Sequence, residues 1–107
     1  MSESHMAEVN AVLKLYLGTH NYHNFTSGKK FVDPSAKRYI MSMECGEPFV
    51  KDGLEFAVIT VKGQSFMLHQ IRKMIGMAIA IVRGCASRES LEKCWTAHKV
   101  SWRDEPV

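Results

Sequence analysis

The sequence predicts an α+β fold: a mixed, largely antiparallel sheet packed by helices and left incomplete within this chain. Three observations predict it. Apolar residues recur at helical spacing near both ends, two central segments alternate as strands do, and 107 residues allow a single domain. Hydrophobic residues make up 46% of the chain and charged residues 23%, which excludes a chain disordered throughout.

Residues 1–5 are polar and read as a tag-derived or disordered lead. Met6, Val9, Leu13, Tyr16 and Leu17 predict a helix over 6–17, capped by Ser4 and stopped by Gly18. Residues 19–37 read as a long, turn-rich loop that Tyr22, Phe25 and Phe31 tie down; loops of that length in small domains tend to carry function. Over 38–45, Tyr39, Met41, Met43 and Cys45 fall on one side and Arg38, Ser42 and Glu44 on the other, a strand ended by Gly46 and Pro48. A second strand over 54–62 has Leu54, Phe56, Val58 and Thr60 on one face and Ala57, Ile59 and Val61 on the other. Both faces are largely apolar, so this strand is expected at the centre of its sheet.

Gly63-Gln64-Ser65 reads as a sharp turn. A helix over 67–83 follows, with a wide stripe of Met67, Ile71, Met74, Ile75, Ala78, Ile79 and Val82, and Gly84 as its stop. A last helix over 87–97 has a narrow apolar face of Leu91, Cys94 and Trp95. Two strands are marginal alone. The missing strands are therefore expected from a larger polypeptide, or from a second copy paired through exposed sheet edges.

Fourteen basic residues against eleven acidic give a net charge of +3, which permits a nucleic-acid partner without demanding one. The three cysteines, Cys45, Cys85 and Cys94, form no disulfide framework and fit a reducing intracellular compartment. The longest apolar stretch, Met74 to Val82, is too short to span a membrane. His20 and His23, even with Cys45, lack evident third and fourth ligands, so no metal site is expected. No nucleophile sits in a recognisable elbow or beside a base.

Two segments could carry chemistry. Helical projection puts Arg72 beside the apolar stripe, next to Leu68, Gly76 and Ile79, with no carboxylate three or four residues away. Either it snorkels to solvent at the helix edge, which the spacing alone favours, or its partner comes from elsewhere in the fold or from a ligand. The second segment, Gly18 to Phe25, alternates polar groups and aromatics in a way that suits base stacking and phosphate contact. The commoner arrangement is a loop whose Asn and His side chains bond its own backbone and whose rings cap the core. Lys29, Lys30, Lys37, Arg38, Lys62 and Lys73 are candidate phosphate contacts.

Together these segments resemble the C-terminal half of the TruA-type tRNA pseudouridine synthases, and more closely their eukaryotic branch. The matching runs are G-T-H-N-Y-H-N-F-T-S at 18–27, P-S-A-K-R-Y-I at 34–40, E-P-F-V at 47–50, G-L-E-F-A-V-I at 53–59 and V-K-G-Q-S-F-M-L-H-Q-I-R-K-M-I-G at 61–76. The resemblance implies an enzyme that isomerises uridine to pseudouridine in tRNA and other structured RNA, without metal or organic cofactor. It implies two related halves sharing one sheet, with a basic cleft between them. It places Arg72 in the active site, paired with an Asp of an R-T-D-x-G motif in the N-terminal half. A bidentate pair of that kind orients the Asp and keeps it ionised. Phe66, Met67 and Leu68 would lead into a pocket that receives a flipped uridine. His20, Asn21, Tyr22 and Phe25 match a loop motif that reads H-D-F-x-x-F in bacterial relatives, from which Asn21 and Tyr22 depart. Asp33, Asp52 and Asp104 lie in no R-T-D-x-G context, so the chain alone is expected to be inert. The eukaryotic resemblance implies a nuclear or mitochondrial location. Two rival readings stay open: a non-catalytic RNA-binding module and a dimerisation domain.

Overall fold

The computed structural model describes residues 3–98 and has an α+β architecture. Helix α1 spans Glu3–Leu13 and passes into a 3-10 turn at Lys14–Tyr16. It begins ahead of the expected start, so Ser4 lies inside the helix and is not its cap, and Glu3 to His5 of the polar lead are ordered into it. The other two residues of that lead lie outside the described residues. Leu17 turns extended, and Gly18 at φ +92° redirects the chain.

The expected long loop over 19–37 is instead structured. Strand β1 (Gly18–Asn21) runs antiparallel to β2 (Lys37–Cys45), with Thr19 opposite Tyr39 and Asn21 opposite Lys37. Two 3-10 turns, His23–Phe25 and Pro34–Ala36, fold the segment between them. The second is set by Asp33, whose side chain accepts the Ser35 N–H, and by Pro34, whose fixed φ suits a first helical position.

Strand β2 does not keep one phase. A bulge between Ile40 and Ser42 shifts its register against β5 (Ile59–Gly63). Ahead of the bulge Ile40 is buried while Tyr39 and Met41 are 52% and 58% exposed; beyond it Met43 and Cys45 turn inward, at 3% and 8%. The four residues expected on one face are thus split between two. An extra residue in one strand swaps the faces of everything that follows.

The expected strand over 54–62 also divides. Strand β4 (Leu54–Phe56) folds back on β3 (Phe49–Lys51) as a separate hairpin, with Phe49 and Phe56 stacked across it. Its turn is Asp52-Gly53, both at positive φ, as a two-residue hairpin of this hand needs. Only β5 joins the main sheet. Among the described residues the order β1-β2-β5 puts β2 in the middle and leaves one side of β5 unpaired, the side at which further strands were expected. Leu54, Phe56 and Val58 are exposed, and of this run only Ala57 is half-buried against the core.

Helix α2 (Gln70–Val82) and helix α3 (Arg88–Cys94) complete the fold. Ser87 caps α3, and its hydroxyl and that of Ser90 serve each other's backbone N–H groups. Helix α1 packs against α2 and β2, and the core between them holds Leu13, Tyr16, Tyr22, Phe25, Ile40, Met74 and Leu91. Burying such side chains contributes about 1.5–3 kcal/mol each. The outward side chains of the sheet include Lys37, Tyr39, Met41 and Lys62. No helix among the described residues is long and apolar enough to cross a membrane.

Candidate functional site

The approach to α2 is held from several sides. At the end of β5, a Cβ on Gly63 would lie 3.0 Å from the Tyr39 carbonyl oxygen and 3.1 Å from the Phe66 ring, so this close approach requires glycine. Phe66 is half-buried and Met67 is in the core. Gln70 is fully buried; its Oε1 accepts the Met67 N–H at 2.9 Å, and its own N–H donates back to the Met67 carbonyl at 3.1 Å. The Thr26 hydroxyl donates to the Leu68 carbonyl at 2.7 Å. His69, at φ +62°, makes the left-handed step into the helix. The outcome is an exposed Leu68, at 67%, and an exposed Arg72 one turn further on. Among the described residues Arg72 has no hydrogen-bond or ion-pair partner. Within this chain it therefore follows the solvent-facing alternative.

The Thr26–Leu68 bond also joins the two segments singled out from the sequence. In the segment from Gly18 to Phe25, the His20 ring stacks flat on Trp95, with centroids 3.7 Å apart and planes 9° apart, and its Nε2 lies 3.1 Å from the Leu17 carbonyl. Burial lowers the His20 pKa, and hydrogen bonds to the Leu17 and Leu15 carbonyls partly oppose that shift. Asn21 accepts the His23 N–H on Oδ1 and donates through Nδ2 to the Phe31 carbonyl. Tyr22 donates its hydroxyl to the Tyr16 carbonyl, and burial holds its phenol protonated well above the ordinary range. Phe25 meets the Tyr16 and Tyr22 rings edge-on. Tyr22 and Phe25 have no exposed surface, so in this chain they offer no face to a base; they cap the core.

Two neighbours that sequence reasoning did not assign close this loop onto α3. The Asn24 amide donates to the Cys94 and His98 carbonyls at 3.1 and 2.6 Å, and His23 Nε2 lies 2.5 Å from the Thr96 carbonyl. The Cys94 carbonyl is among those that α3 leaves without helical partners at its C-terminal end, and those of Thr96 and His98 follow just beyond it. The indole N–H of Trp95 is buried and has no hydrogen-bond partner among the described residues.

The candidate phosphate contacts divide by setting. Lys29 donates to the Ser35 hydroxyl and sits 3.7 Å from Asp33, whose carboxyl is held below its ordinary range chiefly by the Ser35 hydroxyl and N–H. Arg38 is fixed: Nε donates to the Ser35 carbonyl at 2.7 Å and Nη1 to the Ser65 hydroxyl at 2.8 Å. Lys30, Lys37 and Lys62 are exposed, and Lys73 is half-buried. Burial pushes the Cys94 thiol up to about 11. Among the described residues no three His, Cys, Asp or Glu side chains gather as metal ligands.

A family model described as tRNA pseudouridine synthase matches residues 12–104. A pseudouridylate synthase 1 homolog of Homo sapiens is 59% identical over 100 residues, which cover 94% of this chain and 23% of that protein. A tRNA pseudouridine synthase 1 of Yarrowia lipolytica is 52% identical over 91 residues, 85% of this chain and 17% of the relative. One of Kluyveromyces lactis is 44% identical over 109 residues, spanning 100% of this chain and 20% of the relative. The chain spans less than a quarter of the length of these relatives.

Proposed function

This chain belongs to the tRNA pseudouridine synthase family, and on that premise we propose that it forms the arginine-bearing part of an enzyme that isomerises uridine to pseudouridine in tRNA. The reaction breaks the glycosidic bond at uracil N1 and re-forms it at C5. The observation that carries the proposal is Arg72: an exposed guanidinium without a partner among the described residues, on the first turn of a helix whose approach is tied down by Gln70 and Thr26. Its partner is an Asp carried by the rest of the polypeptide. Paired through two parallel N–H···O bonds, Arg72 would fix that carboxylate's direction and hold it ionised.

Leu68, exposed two positions ahead of α2, would form an apolar wall of the uridine pocket, with Phe66 and Met67 supporting it from within. His20, Asn21, Tyr22 and Phe25 would act at one remove, by holding the loop whose Thr26 pins Leu68. Strand β5 pairs only with β2 among the described residues, and an apolar groove lined by Val9, Leu13, Ile59, Ala78 and Val82 lies at it. There the remainder of the polypeptide would complete the sheet. The three free thiols suit the intracellular setting, nuclear or mitochondrial, that this reading assigns.

The test is Arg72→Ala in the full-length enzyme, assayed by pseudouridine formation on unmodified tRNA. Turnover is expected to fall by about 100-fold or more, the usual scale for removing an electrostatic partner at a reacting centre. Near-normal turnover would remove Arg72 from the site.

A further inference from the structure

We propose that the groove between the start of β2 and the turn after β5 binds a backbone phosphate of the RNA, with Arg38 and Lys37 as its cationic contacts. The inference rests on the RNA-modifying reading above and adds to it a defined contact for the nucleic acid. The groove is lined by Thr19, Ser35, Lys37, Arg38, Tyr39, Gln64 and Ser65. Every lining side chain carries an N–H or O–H donor, and none is a carboxylate. A pocket of donors with two cations is complementary to an anion.

The arginine is held in advance. Two of its five N–H groups are already used, on the Ser35 carbonyl and the Ser65 hydroxyl, which fixes the plane of the guanidinium. Three N–H groups remain for a ligand, and little side-chain freedom is left to lose when one binds. The Ser65 turn is itself fixed, because Gly63 lets the Tyr39 backbone and the Phe66 ring close on it. The nearest carboxylate by chain, Asp33, accepts from the Ser35 N–H and hydroxyl and faces Lys29, so its charge is already answered. Lys37 is exposed on the same groove. Leu68 lies three positions beyond Ser65 and Arg72 seven, so the groove borders the segment that leads to the proposed uridine pocket.

The experiment measures the affinity of the full-length enzyme for an unmodified tRNA transcript by fluorescence anisotropy across a salt series. Wild type, Lys37→Ala, Arg38→Ala, the double variant and a Lys51→Ala control on the exposed hairpin are compared. Loss of the one phosphate contact is expected to reduce the slope of log affinity against log salt by roughly 0.7–0.9 in the double variant, and each single variant loses part of that. The control keeps the wild-type slope. Arg38→Ala also removes two internal hydrogen bonds, so Lys37→Ala, which breaks none, carries the test should Arg38→Ala misfold. A wild-type slope in Lys37→Ala, with wild type itself binding in a salt-dependent way, overturns the groove and leaves the function standing. Absence of salt-dependent tRNA binding by wild type overturns both.

Discussion

Replacing Gln70 by Met removes one hydrogen-bond acceptor and very little volume. Gln70 is fully buried, its Oε1 is the partner of the Met67 N–H at 2.9 Å, and its Nε2 lies 3.7 Å from the Met74 sulfur. Methionine has similar length and flexibility, so packing against Met74 is retained. What is lost is the partner of a buried amide, which costs about 1–3 kcal/mol. For a domain of this size each kcal/mol moves the melting point by roughly 4–8 °C, so the expected fall is about 4–24 °C. Thermal unfolding followed by circular dichroism reads it directly. In the full-length enzyme the same change is expected to lower kcat more than it raises KM, because Met67 anchors the turn from which Arg72 projects. A melting point within about 2 °C of wild type would refute the reasoning, since the Met67 N–H would then find a partner without Gln70.

His20 provides a pH prediction. Its pKa is lowered in the folded chain from 6.5, with burial the leading cause, so the unfolded chain takes up the proton first. Its share of stability is present above the unfolded pKa and is lost as pH falls toward the folded one. His20→Phe keeps a ring on Trp95 and removes the titration; urea unfolding at about pH 5 and about pH 7.5 is expected to show wild type losing more stability than the variant on acidification, and equal losses would contradict it. Gly63→Ala drives a Cβ against the Tyr39 carbonyl and the Phe66 ring and is expected to cost about 1–3 kcal/mol in the same unfolding assay. A neutral result would show that the turn gives way freely.

The helices were legible because each carries its own signals. The stripe from Met74 to Val82 has the right period, Gly84 takes the left-handed stop at φ +80°, and Ser87 is a working cap. The sheet was less legible, for three separate reasons. Gly18–Asn21 is short and polar, so nothing in its pattern marks a strand; its pairing with β2 makes it one. The β2 bulge is invisible to a strict period of two, which reads Tyr39 to Cys45 as one face. The hairpin turn was readable, since Asp52-Gly53 is a strong two-residue signal, but the apolar run beyond it reads as a single continuous strand.

The site shows the same division. Projection placed Arg72 correctly at the edge of the buried stripe, because a helix has only one geometry. The aromatics at Tyr22 and Phe25 suit either a base or a core, and the deciding facts are tertiary. They are the packing of both rings against Tyr16, and the carbonyls of Cys94, Thr96 and His98 at and just beyond the end of α3, which hold His23 and Asn24 from 70 or more residues away.

The bulge in β2 makes that strand sensitive to insertions and deletions in a way that substitutions do not reveal. Met41 is exposed, so exchanging it for another residue disturbs little. Deleting it would straighten the strand and carry the phase of one half into the other, turning either Ile40 or Met43 and Cys45 out to water. Chain length at this point is therefore a constraint that natural variation must respect even where the residue itself is free to change.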